Sequence, residues 1–452
     1  MQVENSKMIY RGADELARVY RGDHVIVWEP GEPHDYSSDY LTFKNVGTNT
    51  GEFVFRQPYG VSNIDIEISK NGATWIHYSA ATVSDRTINR GETISVKGVS
   101  STYTNVSSFS EDRYSSMFIS GGTAYHIFGN IMSLIYGDNF TGQTRLTSEQ
   151  TFSHLFGGHN CTNAKNLILP ATTITAGCYK FLLSSTSIRT APALPATRLA
   201  EDCYYNMFNG CTSLVNAPEL PATRLAEECY AYMFSNCSSL DNAPSVLPAT
   251  TLEIECYDGM FNGCTSLVNA PVISATSLAS YCCVGMFRYC SSLVNAPALP
   301  AMSANTQCYA AMFYGCTSLV NAPVLPATRL AGECYSSMFY GCTSLVNAPD
   351  LPATTMMDMC YANMFNGCTS LLTAPVLPST VLATWSYQQM FSGCTSLNYI
   401  KCLATDISAT NCTIDWVSGV APTGTFVKSP DMNDWPSGKD GIPSGWAIID
   451  AT

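Results

Sequence analysis

The chain has 452 residues, 46% of them hydrophobic and only 13% charged, and carries a formal charge of −13. An acidic chain without a run of Lys and Arg lacks the clustered positive charge that phosphate affinity needs, which argues against nucleic-acid binding, and no stretch of 18 or more apolar residues is present to insert into a membrane. With so few charges, the surface must be built from Thr, Ser, Asn and Tyr.

Residues 1–33 open the chain with an internal echo, Tyr10-Arg11-Gly12 and Tyr20-Arg21-Gly22, ten residues apart in "IYRGADELARVYRGDHVIVWE". Charges and glycines stand where a secretion signal would need an apolar core of about 7 to 15 residues, so no such signal is expected. The segment reads as a β-rich attachment module. It resembles the short N-terminal segments of phage tail and fibre proteins, which implies docking to other virion proteins through residues 1–33. The Pro30-Gly31-Glu32-Pro33 linker closes it.

Residues 34–128 alternate apolar and polar positions, as in "YLTFKNVGTNTGEFVFRQPYG", and place Asn71-Gly72 at a hairpin turn, which predicts a small β-sandwich-like domain. "GNIMSLIYGDNF", at 129–140, is expected to begin the N-terminal cap of a solenoid.

From there to residue 400 the chain is periodic. Cys211, Cys237, Cys264, Cys290, Cys316, Cys342, Cys368 and Cys394 recur at steps of 26 residues, with one of 27, each before Thr-Ser-Leu or Ser-Ser-Leu. A second series, Cys203, Cys229, Cys256, Cys282, Cys308, Cys334 and Cys360, stands eight residues ahead, with Ser386 in its last slot. A fixed period of about 20 to 50 residues is the mark of a solenoid, each coil stacking on its neighbours over a shared core. Within the coil from Cys316, "TSLVNAP" predicts one brief strand ended by Pro323, and Leu319 and Leu345 occupy equivalent inward slots. "LAGECYSSMFYGC" places Leu330, Cys334, Met338, Phe339 and Cys342 at spacings that suit one face of a short helix or 3₁₀ segment ended by Gly341. Zinc sites need closely spaced Cys pairs, whereas the spacing inside a coil is eight. The repeat cysteines therefore read as buried thiols stacked in the core, with disulfides between the two ladders as the alternative.

The pattern Phe-x-x-Cys-x-x-Leu, followed by Leu-Pro and a second aromatic pair, resembles the BspA-like leucine-rich repeats found in Bacteroides-type bacteria and their phages. Clean coils run from about Cys203 to Leu397 and degenerate ones reach back to about residue 145. Two departures are Cys-Tyr in place of the usual Ile-Gly and a longer coil. The resemblance implies a mainly β fold with short helices, a leucine-rich-repeat solenoid preceded by the β-sandwich-like domain. Residues 401–452 break the period and bring Trp416, Trp435 and Trp446, bulk suited to a C-terminal cap over the last coil.

No nucleophile, phosphate or cofactor constellation accompanies the repeat, so neither an enzyme nor a cofactor is expected. His154, His159 and Cys161 give a weak metal hint, read instead as a variable coil tip. The acidic Glu201-Asp202, Glu227-Glu228, Glu253 and Glu255 are read as ion-paired with residues such as Arg198 and Arg224 on a solvated face. Tyr205, Tyr232, Arg288, Tyr289, Tyr314 and Tyr340 fill slots that vary while the core marks stay fixed. Tyr and Arg are favoured at recognition hot spots, so these six are the candidate ligand-binding residues for a host cell-surface glycan or protein; packing between coils is the alternative. The expectation is a phage virion protein of the tail-fibre or receptor-binding kind, open to homo-oligomer formation. A bacterial BspA-like cell-surface adhesin, or a virion spacer without a ligand, stands beside it.

Overall fold

The computed structural model describes residues 34–57, 65–99 and 114–452 in full, together with the backbone of three short antiparallel strands, Met8–Ile9, Arg18–Arg21 and His24–Val27. The side chains of the expected docking segment lie outside the described residues.

Two sheets form the region after the linker. The larger runs Cys161–Asn163, Tyr125–Asn130, Leu41–Asn45, Thr93–Gly98, Ile66–Lys70 and Ile76–His77; the smaller runs Ser116–Ile119, Gly51–Arg56 and Thr87–Ile88. Their alternating apolar residues meet between them, Phe43 of the large sheet lying 5.0 Å from Phe53 of the small one, both fully buried. Asn71 and Gly72, at φ 50° and 74°, turn the chain between Ile66–Lys70 and Ile76–His77; two successive left-handed residues are what a tight hairpin requires. Residue 128 falls inside the strand Tyr125–Asn130, which pairs antiparallel with Leu41–Asn45 on one side and parallel with Cys161–Asn163 and Leu167–Ile168 on the other. One strand thus joins the sheet to the first coil, while the Met117 amide donates to the Leu155 carbonyl of that coil. The stretch 129–140 contributes the short helix Ser133–Tyr136, packed so closely on Thr93–Gly98 that a Cβ on Gly98 would lie 2.0 Å from the Leu134 carbonyl oxygen.

The helix expected in each coil is absent from the described residues. Its place is taken by linked turns, from residues 150–158 in the first coil to 411–419 in the last. In the coil holding Cys203, Cys203, Tyr205, Met207, Asn209 and Cys211 close i→i−3 turns, and Asp202, Asn206 and Gly210 have φ of 56°, 52° and 72°. Alternate turns therefore carry a left-handed third residue, as type II turns do. Gly341, expected to stop a helix, is one of these residues at φ 69°. The amides between the turn closures donate to the next coil, Tyr204 to Cys229 O, Asn206 to Ala231 O and Phe208 to Met233 O. The Tyr204 column continues without a break from the Phe152 amide to the Cys412 carbonyl.

The inward side chains stack in register. Phe208, Phe234, Phe261, Phe287, Phe313, Phe339, Phe365 and Phe391 form a column of near-parallel rings 5.5–5.7 Å apart. Leu319 and Leu345 are fully buried. The brief strand expected per coil is often only a single parallel bridge, as at Asn295, Asn321 and Asn347. All twenty cysteines are free and buried, and the thiols have work that the spacing did not reveal. Cys237, Cys264, Cys290, Cys316, Cys342, Cys368 and Cys394 each donate to the carbonyl of the Phe in the preceding coil, at 3.0–3.1 Å. Burial raises their pKa, taking Cys394 to about 12, so they stay protonated donors.

Stacking continues past residue 400. Thr373–Leu377, Tyr399–Cys402, Thr425–Lys428 and Ala447–Asp450 form one parallel sheet. Trp416 is fully buried, stacks on Tyr387 and Trp435, and donates to the Gly441 carbonyl. The Asp440 carboxylate accepts the Asp415 amide of the last turn run.

Candidate functional site

The six candidate residues occupy four different slots of the turn run and fall into two clusters. Tyr205 follows the inward Cys203-Tyr204 pair, Tyr232 holds the middle left-handed slot, Arg288, Tyr314 and Tyr340 share the slot before the last left-handed residue, and Tyr289 holds that last slot. Of the six, Tyr289 is the most open at 47% exposed; the other five are half-buried.

The first cluster pairs Tyr205 and Tyr232, ring centroids 6.1 Å apart at 73°. Lys180 lies 4.3 Å over Tyr205 and is bonded to Asp202 at 2.8 Å. Burial, with help from the Asp258 carboxylate, raises the Tyr232 phenol pKa. Asp258 itself is pushed up to about 6, first by loss of solvent and then by Glu255, while the Tyr232 phenol opposes the shift.

The second cluster is tighter. The Arg288 guanidinium carbon stands 5.0 Å from the Tyr289 ring centroid and 4.7 Å from that of Tyr314, within cation–π range. A terminal guanidinium nitrogen donates to the Tyr289 hydroxyl at 3.4 Å. Tyr289 meets Tyr314 edge-on at 5.4 Å, and Tyr314 lies flat on Tyr340 at 4.5 Å and 1°.

Both clusters include one of the left-handed residues that recur in every coil, as Phe181, Tyr281 and Trp385 do elsewhere. Tyr232 and Tyr289 have φ of 53° and 59°, a region that bulky side chains enter at a cost of about 1–2 kcal/mol. In the next coil the equivalent residues are Gly259 and Gly315, where a Cβ would lie 2.3 Å and 2.7 Å from the Tyr232 and Tyr289 rings. Each strained tyrosine is thus laid over a glycine that makes room for it. The signal was present in the sequence as an aromatic in a slot that Gly fills in the following coil, but it is readable only once the slots are aligned by conformation.

Other expectations resolve differently. Among the described residues no group of His, Cys, Asp or Glu is arranged to hold a metal. His154 is sandwiched between Tyr114 and Phe181 at 4.0 and 4.4 Å, with its pKa lowered to about 4 by burial, and His159 stacks on Phe118. This aromatic run ahead of Tyr205 was missed because His154, His159 and Phe181 sit in degenerate coils and Tyr114 and Phe118 in the β region before them. Arg198 and Arg224 form no ion pair with Glu201 or Glu227; instead their backbones bridge one another in register, because parallel stacking places like residues of successive coils side by side. The clustered carboxylates of Asp202, Glu228 and Glu255 lie on successive coils for the same reason, and burial followed by Asp202 and Glu255 raises the Glu228 pKa.

No curated protein matches the chain significantly. Among solved structures, a leucine-rich repeat protein from Bacteroides ovatus is 18% identical, covers 78% of this chain and 95% of its own, and has a TM-score of 0.31, a likeness that carries no further weight. The BspA type leucine-rich repeat region is matched in six copies, over residues 153–267, 200–320 and 306–411. That span covers more than half of the sequence and coincides with the stacked Phe, Leu and Cys columns, and the chain belongs to the BspA-type leucine-rich repeat family.

Proposed function

We propose that the chain is an adhesin-like surface protein whose solenoid presents the two tyrosine clusters to a glycan or protein on a cell surface. The observation that supports this reading is the cluster of Arg288, Tyr289, Tyr314 and Tyr340, whose guanidinium and rings pack on one another along a partly exposed edge of three successive coils. The left-handed φ of Tyr289 is shared by Phe181, Tyr281 and Trp385 and belongs to the repeat, whereas the open ring of Tyr289 beside the Arg288 guanidinium belongs to this edge. A scaffold role without catalysis accords with the repeat family. Carriage on a virion, with residues 1–33 docking to other virion proteins, is the finer reading and is motivated by the Tyr-Arg-Gly echo; detection of the chain in purified virions, or in a bacterial envelope fraction, decides the carrier.

Tyr289→Gly tests recognition. Gly holds the same slot at 263, 315 and 341, so the variant should melt at the same temperature as wild type or higher. Truncating a hot-spot aromatic typically weakens binding by about 2 kcal/mol or more, and cell adsorption should fall accordingly. A lower melt with unchanged adsorption would assign the ring to packing between coils.

A further inference from the structure

We propose that Arg288, Tyr289, Tyr314 and Tyr340 form a subsite for the carboxylate of an acidic saccharide, a hexuronate-type residue. The proposal rests on the recognition reading above and names its ligand class. The chain has 35 acidic against 22 basic residues, yet among the described residues no carboxylate pairs with Arg288, and its buried Nε has no acceptor. The guanidinium is held by the rings of Tyr289 and Tyr314 and by the Tyr289 hydroxyl. Other arginines of the described residues also lack a carboxylate, but the Arg288 guanidinium is set apart by lying against two rings, those of Tyr289 and Tyr314.

A fixed guanidinium fork matches a carboxylate, and Tyr hydroxyls and ring edges match the hydroxyls and apolar face of a sugar. The cluster spans three successive coils, which at about 4.8 Å per coil gives a strip about 10 Å long. That suits one or two sugar units and falls far short of the roughly 800 Å² per partner of a stable protein interface. The net charge of −13 repels a dense polyanion, so the fitting ligand carries its charge singly among hydroxyls.

The test titrates the full chain, by calorimetry or NMR, with an aldobiouronic acid, one hexuronate joined to a neutral sugar, with its methyl ester and with a tripeptide bearing a free carboxylate. The aldobiouronic acid should bind, and the ester should bind at least about tenfold more weakly. Arg288→Asn should lose the acid to the same degree without a change in melting, since Asn262 and Asn366 fill its slot in other coils. Arg224→Thr, a surface arginine on another edge, should leave binding unchanged. Equal affinity for acid and ester, or no effect of Arg288→Asn, overturns the carboxylate subsite and leaves the recognition strip standing. Tighter binding of the tripeptide overturns it in favour of a protein partner, and no binding of any probe overturns it outright, with Tyr289→Gly adsorption then judging the recognition reading separately. Should Arg288→Asn lower the melt, the acid and ester on wild-type protein decide.

Discussion

Asp258 occupies a slot that Ala231 holds in the coil before and Val284 in the coil after, and its carboxylate is pushed up to about 6 chiefly by loss of solvent. For an acid whose pKa rises on folding, the folded chain holds the proton more tightly than the unfolded one. The resulting stability is therefore full below about pH 4 and is lost as pH rises through about 6. Raising a carboxyl from its ordinary value to about 6 corresponds to roughly 3 kcal/mol at neutral pH. Asp258→Asn should accordingly raise the melting temperature at pH 7 and leave it unchanged at pH 4. A lower melt at pH 7 would mean that the ionised carboxylate stabilises the coil.

At the scale of the element, the turn run explains why the coil was misread. Cys-Tyr, Met-Phe and Cys recur at a spacing of four, which fits a helical face as well as it fits linked turns with one left-handed residue in every four. Gly often occupies the third left-handed slot, while Glu, Asn, Ser and Gln hold many of the others, residues that an ordinary helix also tolerates. Only the hydrogen bonds to the next coil distinguish the two, and those depend on a partner some 26 residues away. The periodicity that set the fold class was local and legible; the conformation inside each period was decided by stacking. Ala311, at φ 53°, provides a check. In a helix Ala→Gly would destabilise by about 1 kcal/mol, whereas here Ala311→Gly should stabilise by about 1 kcal/mol, because glycine enters the left-handed region without strain. Thermal melting gives the sign directly, and a drop would refute the turn geometry.

Across the whole molecule, the repeat makes length adjustable. Joining Gly341 to Cys368 removes residues 342–367, one full period, and brings each Phe, Leu and Cys onto an equivalent partner. This variant should keep its far-UV circular dichroism per residue and unfold cooperatively at a modestly lower temperature, as nearest-neighbour stacking requires. Removing 20 residues from the same place should abolish folding, since the columns would fall out of register; equal behaviour of the two deletions would contradict the stacking. The ends were less legible than the middle. "YHIFGN" alternates like any sandwich strand, and nothing local announces that its free edge pairs with Cys161–Asn163.

The amide columns have an electrical consequence. In each, one peptide group accepts from the coil before through its carbonyl and donates to the coil after through its N–H, as Cys229 O and Tyr230 N do. The peptide dipoles, each about 3.5 D, thus add along the solenoid with their positive ends toward the C-terminus, opposite in sense to an α-helix. Asp440, accepting the Asp415 amide at that end, stands where an acidic residue would stand at the start of a helix. The two ends of the stack are electrically unlike, so anions are drawn toward the last coil and cations toward the first.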